Sequence, residues 1–402
     1  MDLPERILVA GVNTRPIVRS AKKLGIEVIA IDIFGDRYVS RHADRFLVSR
    51  DESNGGSGPR EIFRLCFEVL DSGDPDVAVL SSGMEHDLKR LEELGERIEI
   101  AGNEPSQIEP CGQTEKLFDL AEDLDIPHPK TMNVCTESKA IEAAEKIGYP
   151  VLLKPPRGGG GIGIEFIEDE TDLKDSFRNQ KSVYDEDLIV QEYILGDDVS
   201  TSVLASGDES RCLTVNEQII GEENLGVPRK FGYCGNVVPC SKERYIENLI
   251  RDYSESLCSE LGLRGSNGID FVVSDKPYLI EVNPRFQNTM DLVEGVLSIN
   301  LLKEHFRALE GRFKENLSVK KSSAKLIVYS SEDISAPDIS RFDDVVDVPK
   351  KGSLVKEGDP LCSVLKFGSG REKVVEEAYG TVREVQRFCY SSSRSSSDIE
   401  PE

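Results

Sequence analysis

The chain has 402 residues, 38% of them hydrophobic and 31% charged, with a formal net charge of −25. That length suits two or three domains, and the composition is that of a globular protein. The acid excess excludes a general nucleic-acid binder, which needs a basic footprint. No run of about 18 apolar residues suggests a membrane span, so no membrane partner is expected. The start, MDLPERILVAG, enters a strand-like run with no basic region or cleavage site, so a signal peptide is not expected. Nine cysteines without a C-x-x-C pair and four scattered histidines read as reduced thiols in a cytoplasmic protein, not as a disulfide frame or zinc site.

Residues 1–110 alternate strand and helix signals. RILVAGV (6–12) is an apolar run closed by Gly11. Over 15–24 the residues Ile17, Val18, Ala21 and Leu24 share a helical face stopped by Gly25, and IEVIAID (26–32) is the next strand. A GGSGP loop (55–59), a helix near 60–71, a strand VAVLSSG (77–83) and a helix near 85–95 follow. The alternation predicts a parallel sheet with crossover helices. The turn GVNTRP after the first strand is not G-x-G-x-x-G, so a dinucleotide site is not expected despite Asp32 at the end of strand two. A substrate cleft at the carboxyl ends of the strands fits better. Thr14, Arg15, Ser82, Gly83 and Glu85 would lie there, either as substrate contacts or as caps and loop residues.

A helix over 111–127, with Thr114 as its cap, ends at Pro127 and Pro129, and a second helix over 137–146 precedes the strand GYPVLLKP. Residues 165–300 mix strands and helices. Residues 316–390 read as short strands: KLIVYSS, DVVDVP, SLVKEGDPLCSVLKFG and YGTVREVQRF. The tail YSSSRSSSDIEPE is polar, of low complexity, and expected to be disordered.

The stretch KPPRGGGGIGIE (154–165) resembles a phosphate cradle. Rossmann and Walker A loops open onto a helix. Here a strand precedes the glycines, GIEFIE reads as a strand after them, and GK[ST] is lacking. A strand–loop–strand flap is predicted, in which glycine amides approach phosphate oxygens and Lys154 supplies a charge. The alternative is a glycine-rich surface hairpin.

The segment NGIDFVVSDKPYLIEVNPRFQ (267–287) reads as two strands joined at Asp275-Lys276. With that dipeptide as the turn, Val273 faces Tyr278 and Asp270 faces Glu281. Facing like charges are unfavourable in a ladder. Asn283 lies on the same face, while Phe271, Ile280 and Val282 point into a core. Two carboxylates and an amide oxygen suit magnesium, bound with waters and substrate phosphates. A solvated face with slipped register is the alternative. Arg285 follows on the same outward parity, with a guanidinium suited to an oxyanion or carboxylate.

Over roughly 111–310 these features, in order and spacing, resemble the ATP-grasp superfamily. A first lysine, Lys116, sits on a helix before IPHP; a second, Lys154, ends a strand before the glycine flap. LIVQEYILGDD resembles the adenine hinge strand, and Asp270 with EVNPR the metal strand pair. The resemblance implies that Lys116 and Lys154 hold phosphates under a flap formed by Gly158, Gly159, Gly160 and Gly161. It implies that Gln191 accepts the adenine amino group, that the backbones of Glu192 and Ile194 read the adenine edge, and that Asp198 or Asp197 holds the ribose. Asp270, Glu281 and Asn283 would be magnesium ligands, with manganese as a substitute, and Arg285 would steady the acyl phosphate. The implied architecture is α/β, α+β within the ATP-grasp part. A Rossmann-like domain (1–110) precedes the ATP-grasp domain (111–315, lid about 125–192). A small β-rich C-terminal domain (316–390) and a disordered tail (391–402) follow.

The implied reaction is ATP-dependent ligation of a carboxylate to an amine through an acyl phosphate, in small-molecule or cofactor biosynthesis, by a possible homodimer. The chain is most similar to archaeal-type predicted carboligases related to biotin carboxylase. It departs from biotin carboxylase itself after Gln287, where Asn288, Thr289 and Met290 replace acidic and histidine residues. A bicarbonate-using carboxylase and a non-catalytic ATP-binding regulator are the alternatives. FGYCGNVVP (231–239) is a candidate acceptor-facing loop, in which Tyr233 and Asn236 would either read substrate or serve as ordinary loop residues. Cys234 has no neighbouring histidine to make it a nucleophile.

Overall fold

The structure, a computed structural model, describes residues 3–49, 58–73, 75–156 and 158–394. Four parallel strands, in the order Arg45–Val48, Glu27–Asp32, Arg6–Gly11 and Val77–Leu80, form the first sheet. The strand Arg45–Val48 and the helix Arg37–His42 before it escape a reading by apolar periodicity, because each is short and half-polar. Of the GGSGP loop, residues 55–57 lie outside the described residues, and Pro59 opens the helix Pro59–Ser72.

Where one helix is expected over 111–127, two form, Pro105–Gly112 and Thr114–Asp123. Gln113 occupies the cap position and Thr114 is the first helical residue. A four-stranded antiparallel sheet follows, in the order Thr131–Val134, Leu188–Glu192, Val151–Lys154 and Glu165–Ile167. The helices Glu137–Ile147 and Glu170–Lys181 cover it, and Ala140, Ala144, Leu173 and Phe177 meet Val151, Leu153 and Val190 in its core.

The largest sheet has eight antiparallel strands. Their order is Pro277–Asn283, Arg264–Val273, Asp197–Ser206, Ser210–Ile220, Tyr233–Val238, Ser322–Tyr329, Pro360–Gly368 and Val345–Val346. The strands expected as a small C-terminal unit therefore extend this sheet. One expected strand is corrected: YGTVREVQRF lies within the helix Arg371–Arg394. Val374, Ala378, Val382, Val385 and Cys389 are all buried, and their three- and four-residue spacing is helical. The β-branched valines and Gly380 suggest a strand only when the spacing is ignored. The helix also occupies 391–394, the start of the expected disordered tail; 395–402 lie outside the described residues.

Helices Met290–Leu297 and Leu301–Leu309 pack between the parallel and large sheets. Ile17 and Val18 of the helix Arg15–Lys23 share that core with Val293, Val296 and Leu302. Each such side chain contributes about 1.5–3 kcal/mol on burial. This core holds the N-terminal sheet against the large sheet, to which the strand pair carrying Asp270 and Glu281 belongs.

Candidate active site

The site is built around the hairpin of Arg264–Val273 and Pro277–Asn283. Asp270 stands opposite Glu281, as the sequence predicts, but by a different route. The loop has three residues, with Val273 paired to Pro277, and a bulge between Phe271 and Asp270 restores the alignment. The longer loop and the bulge offset one another. The shift takes Ile280 out of the expected core position, and Leu279 is fully buried instead, beside Phe271 and Val282.

The pair is electrostatically loaded. Burial, then the charge of Glu281, pushes the Asp270 carboxyl well above the usual carboxylate range. Asp270 Oδ1 is buried without a hydrogen-bond partner. Asn283 Nδ2 donates to Asp270 Oδ2 and to Glu281 Oε1, each at 3.2 Å, while its Oδ1 accepts from Arg285 Nη2 at 2.9 Å. An orphaned carboxylate oxygen beside a second carboxylate fits a hard cation. Among the described residues there is no group of three or more His, Cys, Asp or Glu side chains placed for a metal. The donor set thus suits magnesium, which keeps waters and phosphate oxygens, better than a cation needing a full protein cage.

Lys154 ends its strand half-buried. Burial lowers its pKa, and the charges of Glu281 and Asp198 act against that shift. Lys154 therefore stands within electrostatic reach of Glu281 and Asp198. Asp198 is pushed up to about 6 by burial and by Asp197, against the pull of Lys154. Asp197 is exposed and ion-paired to Lys242, so Asp198 is the residue turned toward Lys154. Lys116 is not brought to this group: it is exposed, with Nζ 3.6 Å from Glu109 Oε1.

The glycine stretch is a loop between paired strands. Gly160 and Gly161 have φ of +62° and +77°, a region in which a Cβ is costly. Gln191 is buried, and its Nε2 donates to Thr131 Oγ1 at 3.0 Å. The Glu192 N–H already donates to the Lys130 carbonyl at 2.8 Å. That amide is taken by the sheet. Ile194 follows the strand and is half-buried.

Arg285 Nε donates to Glu85 Oε1 at 2.5 Å. Burial would raise the Glu85 carboxyl, but Arg285 and His86 hold it below its ordinary value. Glu85 thus brings the N-terminal region to the site. Arg15 does not. Its guanidinium is buried against Asp291 and Asp347, and Lys325 completes the cluster at 3.4 and 3.3 Å from the same two acids. Thr14 Oγ1 donates to Asp32 Oδ2 at 2.8 Å, so both residues secure the turn. The Ser82 carbonyl accepts from Val12, and Gly83 has φ of +96°.

The expected loop 231–239 is the strand Tyr233–Val238, in the interior of the sheet. Tyr233 OH donates to Asn236 Oδ1. Burial, then the nearby Asp270 charge, raises the Tyr233 hydroxyl pKa. Burial also raises the Cys234 thiol, which is not activated. Sequence reading missed Lys325 and its two acids. A single lysine in the apolar run SSAKLIVY was the available signal.

Comparison with known proteins bears on the family and the fold. Residues 114–289 match the ATP-grasp domain family. An uncharacterized protein of Methanocaldococcus jannaschii is 26% identical over 372 residues, 90% of this chain and 88% of its own. The carbamoyl phosphate synthase large chain of Lachnoclostridium phytofermentans is 27% identical over 283 residues, 67% of this chain but only 26% of that protein. The biotin carboxylase domain of Hydrogenobacter thermophilus 2-oxoglutarate carboxylase, solved as a dimer with MgADP and bicarbonate, superposes with a TM-score of 0.76 at 17% identity. The match covers 94% of this chain and 89% of that one. Residues 114–289 are therefore an ATP-grasp domain, set in a mixed α/β fold shared with biotin carboxylase.

Proposed function

We propose that this protein is an ATP- and magnesium-dependent ligase that joins a carboxylate to an amine. The observation that carries the reading is the convergence of the facing pair Asp270 and Glu281 with the lid lysine Lys154. Asp270 and Glu281, with Asn283 once its amide is turned, would hold magnesium, which supplies charge neutralisation at phosphate oxygens. Lys154 takes part of the transferred charge from the lid side. Gly158, Gly159, Gly160 and Gly161 cover the phosphates and exclude water. Asp198 holds the ribose, and Gln191 lies in the hinge that meets the adenine. Lys116 joins the phosphates by leaving Glu109.

Little covalent work falls to the protein; it aligns groups and offsets charge. The substrate carboxylate oxygen takes the γ-phosphoryl group and ADP leaves. The amine nitrogen then attacks the acyl carbon, phosphate departs, and the amine gives up a proton. Arg285, preset by Glu85, steadies the acyl phosphate. One relative is named for the synthesis of carbamoyl phosphate, itself an acyl phosphate. A cytoplasmic homodimer completes the proposal; sedimentation velocity reads the dimer directly.

The test incubates the protein with ATP, magnesium and a panel of carboxylates and amines, and measures ADP and phosphate. Equal release of both, dependent on a carboxylate and an amine together, is expected. It is lost in an Asp270→Asn, Glu281→Gln double variant. ATP turnover that requires bicarbonate would replace the ligase by a carboxylase. Tight ATP binding without turnover on any substrate would replace it by a regulator. Full turnover by the double variant would sink the metal assignment.

A further inference from the structure

We infer that Tyr233 is a positioning residue that ties the glycine flap to the strand behind Asp270, with the segment 227–232 as the strap on which the flap docks. The inference rests on the proposed nucleotide site but on different residues. The Tyr233 N–H donates to the Gly160 carbonyl at 3.2 Å. One residue on, Gly161 lies so close to the strap that a Cβ there would fall within the Phe231 carbonyl. Two side-chain contacts support the docking. The Lys230 ammonium lies 3.5 Å from the centroid of Phe166, on the strand after the flap. The Tyr193 ring meets Phe166 edge-on at 4.9 Å and Phe231 at 6.4 Å. The strap is held in turn by Gly221, whose N–H donates to the Gly232 carbonyl at 2.8 Å.

The side chain of Tyr233 runs the other way. Its hydroxyl donates to Asn236 Oδ1, and Asn236 Nδ2 donates to Ser200 Oγ at 3.2 Å. Ser200 is the cross-strand neighbour of Asp270. The Tyr233 carbonyl accepts from Tyr329 OH at 2.7 Å, which fixes the residue between the two contacts. Backbone and hydroxyl together link the docked flap to the floor of the acidic pair. Neither contact involves the ligand set itself, so Tyr233 acts on the acidic pair only from behind, through Asn236 and Ser200.

Two glycines separate docking from backbone strain. Gly161→Ala adds a clash with the strap at φ of +77°, whereas Gly160→Ala adds a Cβ into open space at φ of +62°. The first readout is hydrogen exchange of the Tyr233 amide in the ligand-free protein. Exchange is expected to accelerate about tenfold in Gly161→Ala, the loss of one ordinary hydrogen bond, and much less in Gly160→Ala. Equal exchange in the wild type and both variants would overturn the docking. The second readout is the affinity for ADP with and without magnesium. Tyr233→Phe keeps the backbone contact. It is expected to lower the magnesium-dependent gain in affinity about threefold or more, with the ligand-free melting temperature changed little. A fall in melting temperature with an unchanged gain would overturn the positioning role. A wild-type protein that binds no MgADP would overturn the nucleotide reading and the role of Tyr233 with it, while the docking stands or falls on exchange alone.

Discussion

Asn283 shows how much one amide decides. Its NH2 spans the two carboxylates and its oxygen is held by Arg285. A hard cation takes the oxygen end of an amide, so holding one requires a half-turn that releases Arg285. Asn283→Ala is expected to weaken magnesium-dependent ADP binding about tenfold, in the range seen for groups that support a metal. Calorimetry with and without magnesium reads the difference. His305 makes a separate prediction, for stability. It is buried and neutral: Nδ1 accepts from the Ser266 N–H at 2.8 Å, and Nε2 lies 3.1 Å from the Ala101 carbonyl. Burial depresses its pKa from 6.5 to about 4. The unfolded chain therefore binds a proton first as pH falls. The stabilising contribution is intact above pH 6.5 and is lost between there and about 4, to a total of about 3 kcal/mol. Denaturant melts across that window are expected to slope with pH in the wild type and to flatten in His305→Gln.

The hairpin of Arg264–Val273 and Pro277–Asn283 explains why the acid pair was legible although its turn was not. Side chains in a strand alternate with period two, so the parity of Asp270 and Phe271 is fixed by which of them is buried. A loop one residue longer than predicted would have flipped that parity, but the bulge restored it. The core demands Phe271 and Val282 inside, and the backbone adjusts to satisfy it. The flap was legible for a similar reason, since the strands on either side of the glycines are their neighbours in sequence. The helix Arg371–Arg394 was misread because valines carry a strand preference that tertiary packing overrides. Val382, buried against the strands Ser322–Tyr329 and Pro360–Gly368, tests this. Val382→Ala is expected to cost about 2 kcal/mol, read as a lower denaturant midpoint, with MgADP affinity unchanged.

Across the fold, the three regions of the chain are joined by buried charge as well as by apolar contact. Arg15 comes from the first helix, Asp291 from the helix after the Asp270–Glu281 hairpin, and Lys325 and Asp347 from the C-terminal strands and loop. The two cations hold Asp291 down at about 2 and Asp347 lower still, although burial alone would raise both. Removing one acid leaves an uncompensated buried cation. Asp291→Asn is expected to destabilise the fold by about 3–5 kcal/mol. Salt is expected to change that figure little, because buried pairs are weakly screened. Urea melts at low and high ionic strength check both statements. None of these partners was predictable, because Arg15, Asp291 and Asp347 meet across sequence separations of 276 and 332 residues.

Local rules were enough for the parallel N-terminal strands, the flap between two strands and the facing carboxylates, because each depends on periodicity or on residues close in sequence. Long-range packing decided the rest. It placed Arg15 in an interior ion cluster instead of the cleft, and it left Lys116 with Glu109. It put Tyr233 on a central strand beneath the flap and brought Glu85 to Arg285. Such meetings are set by how sheets and helices stack, and a polar side chain's partner is chosen by that stacking, not by its neighbours along the chain.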